Sequence, residues 1–283
     1  MWTRCRCCSR AVALAAALAV AAKAGGDAPP VRASLRVAVA AFTPGEPFDA
    51  AVELVMPPGW HTYWIRPGDA GLPTEVDWRL PPGFEAGAIE WPAPERFAQG
   101  GLASYGYAGQ VLLPVRICPP REWPAGEPVE LVARVRWLQC REACVPGEAM
   151  VTARVVSASA AVSSADAEAV AAARRALPER DPSVRAKARW DGATLIVQVD
   201  GLRERRPRLF APLEGDAIPP AAAQVWSRGG EGAWTVRIPL ARGASFPSTL
   251  PGVLLLDEGR PLTLEIVADR RRVNAEEQKE NRR

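Results

Sequence analysis

Apolar and polar residues alternate along much of residues 31–155, which is the period of a β-strand with one buried face. The clearest run extends from Pro128 to Cys140, where the apolar positions that share one face are Val129, Leu131, Ala133, Val135 and Trp137. Turn-forming Pro and Gly groups recur along the segment, at 57–59, 67–69, 81–83 and 124–126. Short strands separated by such turns predict a β-sandwich.

A helical segment interrupts this alternation at residues 163–177. The residue types at its two ends suit a helix start and a helix end: Ser163 or Ser164 as cap, Asp166 and Glu168 in the first turn, Arg174 and Arg175 in the last turn, and Pro178 after it. We expect a short connector helix packed on the edge of the sandwich. An Ala-rich face that docks a partner is the alternative.

The strand pattern resumes at about residue 184 and predicts a second, smaller β-sandwich. Asp191-Gly192 is expected to form a hairpin turn between 184–190 and 194–199. The chain holds 28 Pro among 283 residues, which argues against a helical bundle because proline breaks helix interiors. The fold class predicted is all-β, with two β-sandwich modules joined by a short helix.

The first 24 residues have the features of a secretory signal peptide. Three arginines precede an apolar run at residues 11–22, and Ala22-Lys23-Ala24 supplies the small residues of a cleavage site. This leader carries four of the 35 basic residues and none of the 32 acidic ones, so its removal changes the formal charge from +3 to −1. The mature chain therefore gives no support to nucleic-acid binding, and it contains no apolar run long enough to span a membrane.

These features divide the chain into five predicted segments: a cleaved signal peptide at 1–24, a first β-sandwich at 25–160, a connector helix at 161–182, a second β-sandwich at 183–270 and a polar tail at 271–283.

Three of the six cysteines remain after the leader is removed: Cys118, Cys140 and Cys144. Export favours an oxidising compartment, in which close cysteines tend to pair. An extended chain would hold the Cα atoms of Cys140 and Cys144 about 13 Å apart, whereas a disulfide needs about 4.4–6.8 Å. The chain must therefore turn between them, for example by one helical turn, after a strand that ends at Leu138.

A disulfide that closes so short a loop stabilises the fold little, so a reversible redox pair is the favoured interpretation over a structural bond. Two thiolates can also hold Cu(I), but further ligands are scarce because the chain has one His and three Met. The sequence therefore predicts no metal and no cofactor. Cys118 is expected to be a free cysteine that packs as a small apolar residue, and His61 a structural residue among aromatics.

Several motifs resemble the periplasmic amino-terminal domain of DsbD-type thiol:disulfide interchange proteins, closest to the ScsB-like branch. They cover residues 31–155 and comprise Trp60-His61-Thr62-Tyr63-Trp64, Pro67-Gly68-Asp69-Ala70-Gly71-Leu72-Pro73, Trp91-Pro92-Ala93-Pro94-Glu95-Arg96-Phe97, Tyr105-Gly106-Tyr107, Leu113-Pro114-Val115 and Trp137 to Pro146. Residues 184–267 resemble the second β module of longer members more weakly, through Leu209 to Leu213.

The resemblance implies immunoglobulin-like sandwiches and a redox pair at Cys140 and Cys144 that passes electrons to oxidised exported proteins. It implies an aromatic cap over the pair, for which Phe97, Tyr105 and Tyr107 are the candidates, with ordinary core aromatics as the alternative. Because the membrane and thioredoxin-like domains of full-length members are missing, a separate thioredoxin-like or DsbD-type membrane protein is the expected electron donor. The implied setting is the periplasm, in processes such as cytochrome c assembly or copper tolerance.

By resemblance, Cys144 is the sulfur expected to engage partners. Arg141 favours its thiolate and Glu142 opposes it. Because no helix amino-terminus is predicted at the pair, we expect only modest activation of the thiolate. A periplasmic binding or copper-handling module with a structural disulfide is the alternative function.

Overall fold

The computed structural model describes residues 31–191, 193–229, 232–242 and 247–268. The predicted signal peptide (1–24) and polar tail (271–283) lie outside the described residues, as does Gly192 of the predicted hairpin turn. No helix in the described part of the chain is long and apolar enough to cross a membrane.

Twelve strands form what we call the first module. They are β1 (Arg32–Val37), β2 (Val39–Phe42), β3 (Phe48–Val55), β4 (His61–Gly68), β5 (Glu75–Arg79), β6 (Glu85–Ala86), β7 (Glu95–Gln99), β8 (Leu102–Ala108), β9 (Gln110–Cys118), β10 (Pro128–Cys140), β11 (Cys144–Ser157) and β12 (Val162–Ser163).

Two sheets face each other in this module. One has the order β1-β3-β9-β6, and the other has the order β12-β2-β11-β10-β4-β8-β7, with β5 paired to β10. The alternating apolar residues of both sheets meet in one core, in which Leu54, Trp64, Leu113 and Leu131 are fully buried. Alternation predicted this core because every second residue of a strand points to the same face.

The chain changes sheets near its start, between β1 and β2. Leu35, Val37 and Val39 alternate as in one strand, but Ala38 separates β1 in the smaller sheet from β2 in the larger. The backbone N–H of Ala38 donates to the carbonyl of Asp49 at 2.9 Å. The alternation of apolar and polar residues continues where the chain passes from one sheet to the other, so the sequence pattern alone does not reveal this change of sheet.

The long hairpin of β10 and β11 forms the centre of the larger sheet. Its register contains thirteen residue pairs, from Pro128↔Val156 to Cys140↔Cys144. The predicted strand end at Leu138 is corrected, because the strand continues to Cys140 and the turn is confined to residues 141–143. A hairpin loop thus replaces the helical turn considered from the spacing.

The connector helix α1 (Ala167–Arg175) is shorter than the segment predicted at 163–177. The N-cap is Asp166 and not the predicted Ser163 or Ser164, and the Oγ of Ser164 accepts a hydrogen bond from the backbone N–H of Asp166 at 3.0 Å before the first turn. Near its end, Arg174 contacts Glu90 at 3.0 Å and Asp49 at 3.2 Å. These ion pairs attach the helix to the first module, where it packs on β1, β3 and β9 of the smaller sheet and not on the sandwich edge that was predicted.

Seven further strands form what we call the second module: β13 (Arg185–Asp191), β14 (Thr194–Asp200), β15 (Pro207–Pro212), β16 (Val225–Arg228), β17 (Trp234–Pro239), β18 (Thr249–Leu256) and β19 (Leu262–Ala268). They pair in the single order β15-β18-β19-β13-β14-β17-β16. Side chains from all seven strands pack into one core, so this one sheet encloses apolar residues in the manner of a sandwich. The predicted all-β class with sandwich-like modules and a short helix is confirmed.

Candidate functional site

Cys140 and Cys144 form a disulfide that closes the tip of the β10–β11 hairpin. The two residues are paired across the ladder, and their Cα atoms are 4.1 Å apart. Strand pairing supplies this approach, since opposed residues of antiparallel strands lie about 4.5–5.5 Å apart. The loop of Arg141, Glu142 and Ala143 is exposed and leaves one side of the bond open to solvent.

The two cysteines differ in accessibility. Cys140 is 4% exposed, whereas Cys144 is exposed, as are its neighbours on both sides. An attacking thiolate must reach sulfur along the S–S axis, so the accessible residue is the one a partner meets first. The structure therefore distinguishes an outer cysteine, Cys144, from an inner one, Cys140.

A buried tyrosine hydroxyl contacts both sulfur atoms. Tyr63 is 2% exposed, and its hydroxyl donates to the Sγ of Cys140 at 2.8 Å and lies 3.4 Å from the Sγ of Cys144. Burial raises the pKa of Tyr63 above its usual value, so the hydroxyl keeps its proton at neutral pH. A donor held here can stabilise negative charge on a sulfur atom when the disulfide opens.

His61 and Phe97 pack beside this tyrosine. The His61 ring stacks on Phe97 with centroids 4.6 Å apart and an interplanar angle of 14°, and it meets the Tyr63 ring edge-on at 5.3 Å. His61 is also paired with Cys140 through the β4–β10 ladder. Burial lowers the pKa of His61, so its imidazole is neutral at pH 7. The packing fits the predicted structural role of this histidine.

The loop arginine has contacts of its own. The guanidinium carbon of Arg141 lies 5.6 Å from the Trp60 ring centroid, in the range of a cation–π contact. Its Nη2 is 3.8 Å from the Oε1 of Glu142. The opposing influences predicted for Arg141 and Glu142 are thus present on one exposed loop, where solvent weakens both.

The three aromatic cap candidates lie in different environments. Phe97 is partly exposed on β7 and covers His61 beside the disulfide. Tyr105 packs edge-on against Trp64 in the core at 6.2 Å, and the Tyr107 hydroxyl donates to the carbonyl of Pro92 at 2.8 Å. Burial raises the pKa of Tyr105 to about 12 and that of Tyr107 well above its usual value. Phe97 is the candidate that the structure brings to the site.

Cys118 is a free cysteine of intermediate exposure at the end of β9. It is paired with Glu85 of β6 rather than with either member of the disulfide. Within the described ranges, no group of three or more His, Cys, Asp or Glu residues is placed to hold a metal ion.

The comparisons with known proteins agree with this geometry. A family model described as "Thiol:disulfide interchange protein DsbD, N-terminal" matches residues 30–155. This stretch is the DsbD amino-terminal type of domain. The resemblance carried by the sequence motifs is confirmed for it, and this DsbD-type domain contains the Cys140–Cys144 disulfide.

One solved structure extends the likeness in fold beyond the DsbD-type domain. The N-terminal periplasmic domain of ScsB from Proteus mirabilis is 16% identical, with a TM-score of 0.59, over 84% of this chain and 92% of that one. A Porphyromonas gingivalis W83 protein of unknown function is 11% identical, with a TM-score of 0.25, over 84% of this chain and 100% of that one. Among curated proteins, none matches this chain.

Sequence reasoning did not identify Tyr63 as a neighbour of the disulfide. The contact joins residues 77 positions apart, and no local pattern reports it. The usable signal was the strand period, because His61 and Tyr63 are two residues apart and so share a face of β4. Once β4 is placed next to β10, that face adjoins the cysteine pair.

Proposed function

We propose that this chain is a periplasmic thiol–disulfide exchange protein that relays electrons through Cys140 and Cys144. The observation that supports this most directly is the asymmetry of the pair. Cys144 is exposed, while Cys140 is buried and accepts a hydrogen bond from Tyr63. A bond meant only to staple the hairpin needs neither an exposed sulfur nor a hydroxyl aimed at the other one.

Reduction of the pair begins with a donor thiolate that attacks the Sγ of Cys144. The S–S bond breaks, Cys140 leaves as a thiolate beside the Tyr63 hydroxyl, and a mixed disulfide joins the donor to Cys144. The donor's second thiolate then attacks the donor sulfur of the mixed disulfide, and Cys144 is released as a thiolate. The donor is oxidised to a disulfide, and this chain gains two electrons and, at neutral pH, two protons.

Transfer to an oxidised exported protein reverses these roles. The Cys144 thiolate attacks the substrate disulfide, and the substrate's other sulfur leaves as a thiolate. Cys140 then attacks Cys144, which restores the internal disulfide and releases a reduced substrate. We propose a thioredoxin-like or DsbD-type membrane protein as the donor, because donor and acceptor must each present a cysteine to the exposed hairpin tip.

Single cysteine variants test this order of events. Reduced Cys140→Ser, treated with glutathione disulfide, is expected to hold a stable mixed disulfide on Cys144, detectable by mass spectrometry. In reduced Cys144→Ser, Cys140 should react at least about tenfold more slowly, because this thiol is buried, and Cys118 is replaced by Ser in both proteins. A redox titration of the wild-type pair should give a potential above about −300 mV. Equal reaction of the two variants, or a potential well below that value, would contradict the relay.

A further inference from the structure

The strand that carries Phe97 has few side-chain contacts to hold it. β7 lies at the edge of its sheet and pairs with β8 alone. Except for Phe97, its residues are exposed. The β7–β8 turn contains Gly100 and Gly101, at φ +60° and +83°, with open space around both. In such a hairpin, a single anchoring contact changes where the strand rests.

Arg96 supplies an anchor on the face opposite Phe97. Consecutive strand residues point to opposite faces, so Phe97 reaches His61 while Arg96 points away from it. The Nη1 of Arg96 donates to the carbonyl oxygen of Ala222 at 3.1 Å. Ala222 belongs to the second module, 126 positions further along the chain.

The acceptor is held firmly in the second module. The Gln224 side chain accepts from the backbone N–H of Phe210 at 2.8 Å and donates to the Phe210 carbonyl at 2.9 Å, which ties this loop to β15. The N–H of Ala222 donates to the carbonyl of Pro219 at 2.9 Å, and the Ala222 side chain packs in the second core. The Ala222 carbonyl is therefore a fixed point rather than the end of a loose loop.

The second module is itself fixed against the first. Four buried apolar residues of β15 and β18 belong to the core of the first module: Leu209, Ala211, Val253 and Leu255. The same loop also contacts β4, where Arg66 donates to the Gly215 carbonyl and to the Asp216 carboxylate, each at 3.1 Å. These contacts place Ala222 at a constant position relative to the disulfide.

From these contacts we infer that the second module sets the access of partners to the disulfide. Arg96 is the positioning residue, because its bond to Ala222 holds β7 so that Phe97 stays on His61 beside Cys140. The inference rests on the proposed function, since it concerns entry to the same redox pair. Loss of the Arg96 contact leaves both sulfur atoms and Tyr63 unchanged but frees the strand whose Phe97 packs on His61 beside them.

The test is the rate at which dithiothreitol reduces the disulfide in the full chain. Arg96→Ala is expected to raise the second-order rate constant about threefold to tenfold, which corresponds to a typical net hydrogen-bond free energy of about 0.7–1.4 kcal/mol. Phe97→Ala should raise it at least as much, and Arg96→Lys should return it towards the wild-type value. The matched control is Arg237→Ala, which removes an exposed arginine that bonds to Asp191 within the second module and should leave the rate unchanged.

The outcomes separate this inference from the proposed function. A wild-type rate in Arg96→Ala beside a raised rate in Phe97→Ala would overturn the role of Arg96 alone. Wild-type rates in both would overturn the cap, and with it the inference. The reduction potential should be the same in wild type and Arg96→Ala, because Arg96 contacts neither sulfur. Failure of the proposed function would appear in wild type itself, as a potential typical of structural disulfides or the absence of a Cys144 adduct.

Discussion

Among single residues, Tyr63 has the most direct contact with the sulfur chemistry. Its hydroxyl is 2.8 Å from the Sγ of Cys140. Tyr63→Phe should raise the pKa of the Cys140 thiol by about one unit, since a hydrogen bond to a charged group is worth about 1.5 kcal/mol. The measurement is the pH dependence of thiolate absorbance in a Cys118→Ser, Cys144→Ser background, so that Cys140 is the thiol next to Tyr63 that titrates.

Tyr107→Phe is the matched control for this change. Tyr107 is also a buried tyrosine, but its hydroxyl donates to the Pro92 carbonyl and to neither sulfur. Its loss should lower the free energy of unfolding by about 1 kcal/mol and leave the Cys140 pKa unchanged. An identical Cys140 titration in the Tyr63→Phe protein and its parent would show that the hydroxyl does not stabilise the thiolate.

His61 gives the fold a pH dependence whose direction follows from burial. Its pKa is lowered in the folded chain, while an unfolded imidazole titrates near about 6.5. At pH 7.5 both states are neutral. As the pH falls below about 6.5 the unfolded state takes up the proton first, so stability is lost until the folded pKa is reached.

Urea unfolding at pH 7.5 and pH 5 checks this prediction. The wild type should lose more stability between these pH values than His61→Gln, which carries no titratable group there. The comparison is clean because His61 is the only histidine in the chain, and the carboxyl groups are common to both proteins. Equal losses in the two proteins would mean that His61 is not desolvated in the folded state.

At the scale of strands and turns, the sequence predicted the features that depend on the local alternation of apolar and polar residues. The alternation from Val129 to Trp137 correctly located β10, and Asp191 lies at the predicted hairpin between β13 and β14. The pattern did not predict the extension of β10 to Cys140, because Gln139 is a polar residue that is fully buried. Its Oε1 accepts from the N–H of Val31 at 3.0 Å, a partner 108 positions away.

For the candidate site, too, the sequence identified individual residues but not the contacts between distant segments. The two cysteines and Phe97 could be identified from motifs, but their neighbours depend on which strands lie side by side. Tyr63 reaches Cys140 because β4 pairs with β10, and Arg96 reaches Ala222 because the second module packs on the first. Such contacts between distant segments carry no local sequence period, so the strand pattern could not reveal them.

Gly71, in the turn after β4, tests how tightly Tyr63 is held. Its φ is +114°, and a Cβ at this position would overlap the Tyr63 ring. Gly71→Ala should lower the free energy of unfolding by about 2–4 kcal/mol, from backbone strain together with overpacking. Because it displaces the ring, it should also raise the Cys140 pKa, as Tyr63→Phe does. Thermal unfolding and thiolate titration measure the two effects.

Gly126→Ala distinguishes the cost of backbone strain from the cost of steric overlap with a neighbouring side chain. Gly126 also has a positive φ, +72°, but a Cβ there would meet open space. Its cost should be limited to about 1–2 kcal/mol of backbone strain, with no change at the cysteines. Equal costs for the two substitutions would indicate that the turn yields and that Gly71 does not fix the position of Tyr63.

For the whole molecule, the shared apolar cluster predicts that the two modules unfold together. Alternate residues of β18 face different cores: Leu254 packs in the second module, while Val253 and Leu255 join the core of the first. Truncation of a buried leucine costs about 2–5 kcal/mol. Leu255→Ala should therefore lower the unfolding midpoint of both modules, although it lies in the strands of only one.

Two probes in urea distinguish coupled from independent unfolding. Alkylation of Cys118 reports on β9 of the first module, and far-ultraviolet circular dichroism reports on all strands. The wild-type midpoints should coincide, and Leu255→Ala should lower both by the same amount, whereas Met150→Ala, at a 49% exposed position of the first module, should leave them in place. A Cys118 midpoint that stays at the wild-type value in Leu255→Ala would mean that the first module folds without the second. The second module would then be a separable attachment and not a support for the redox site.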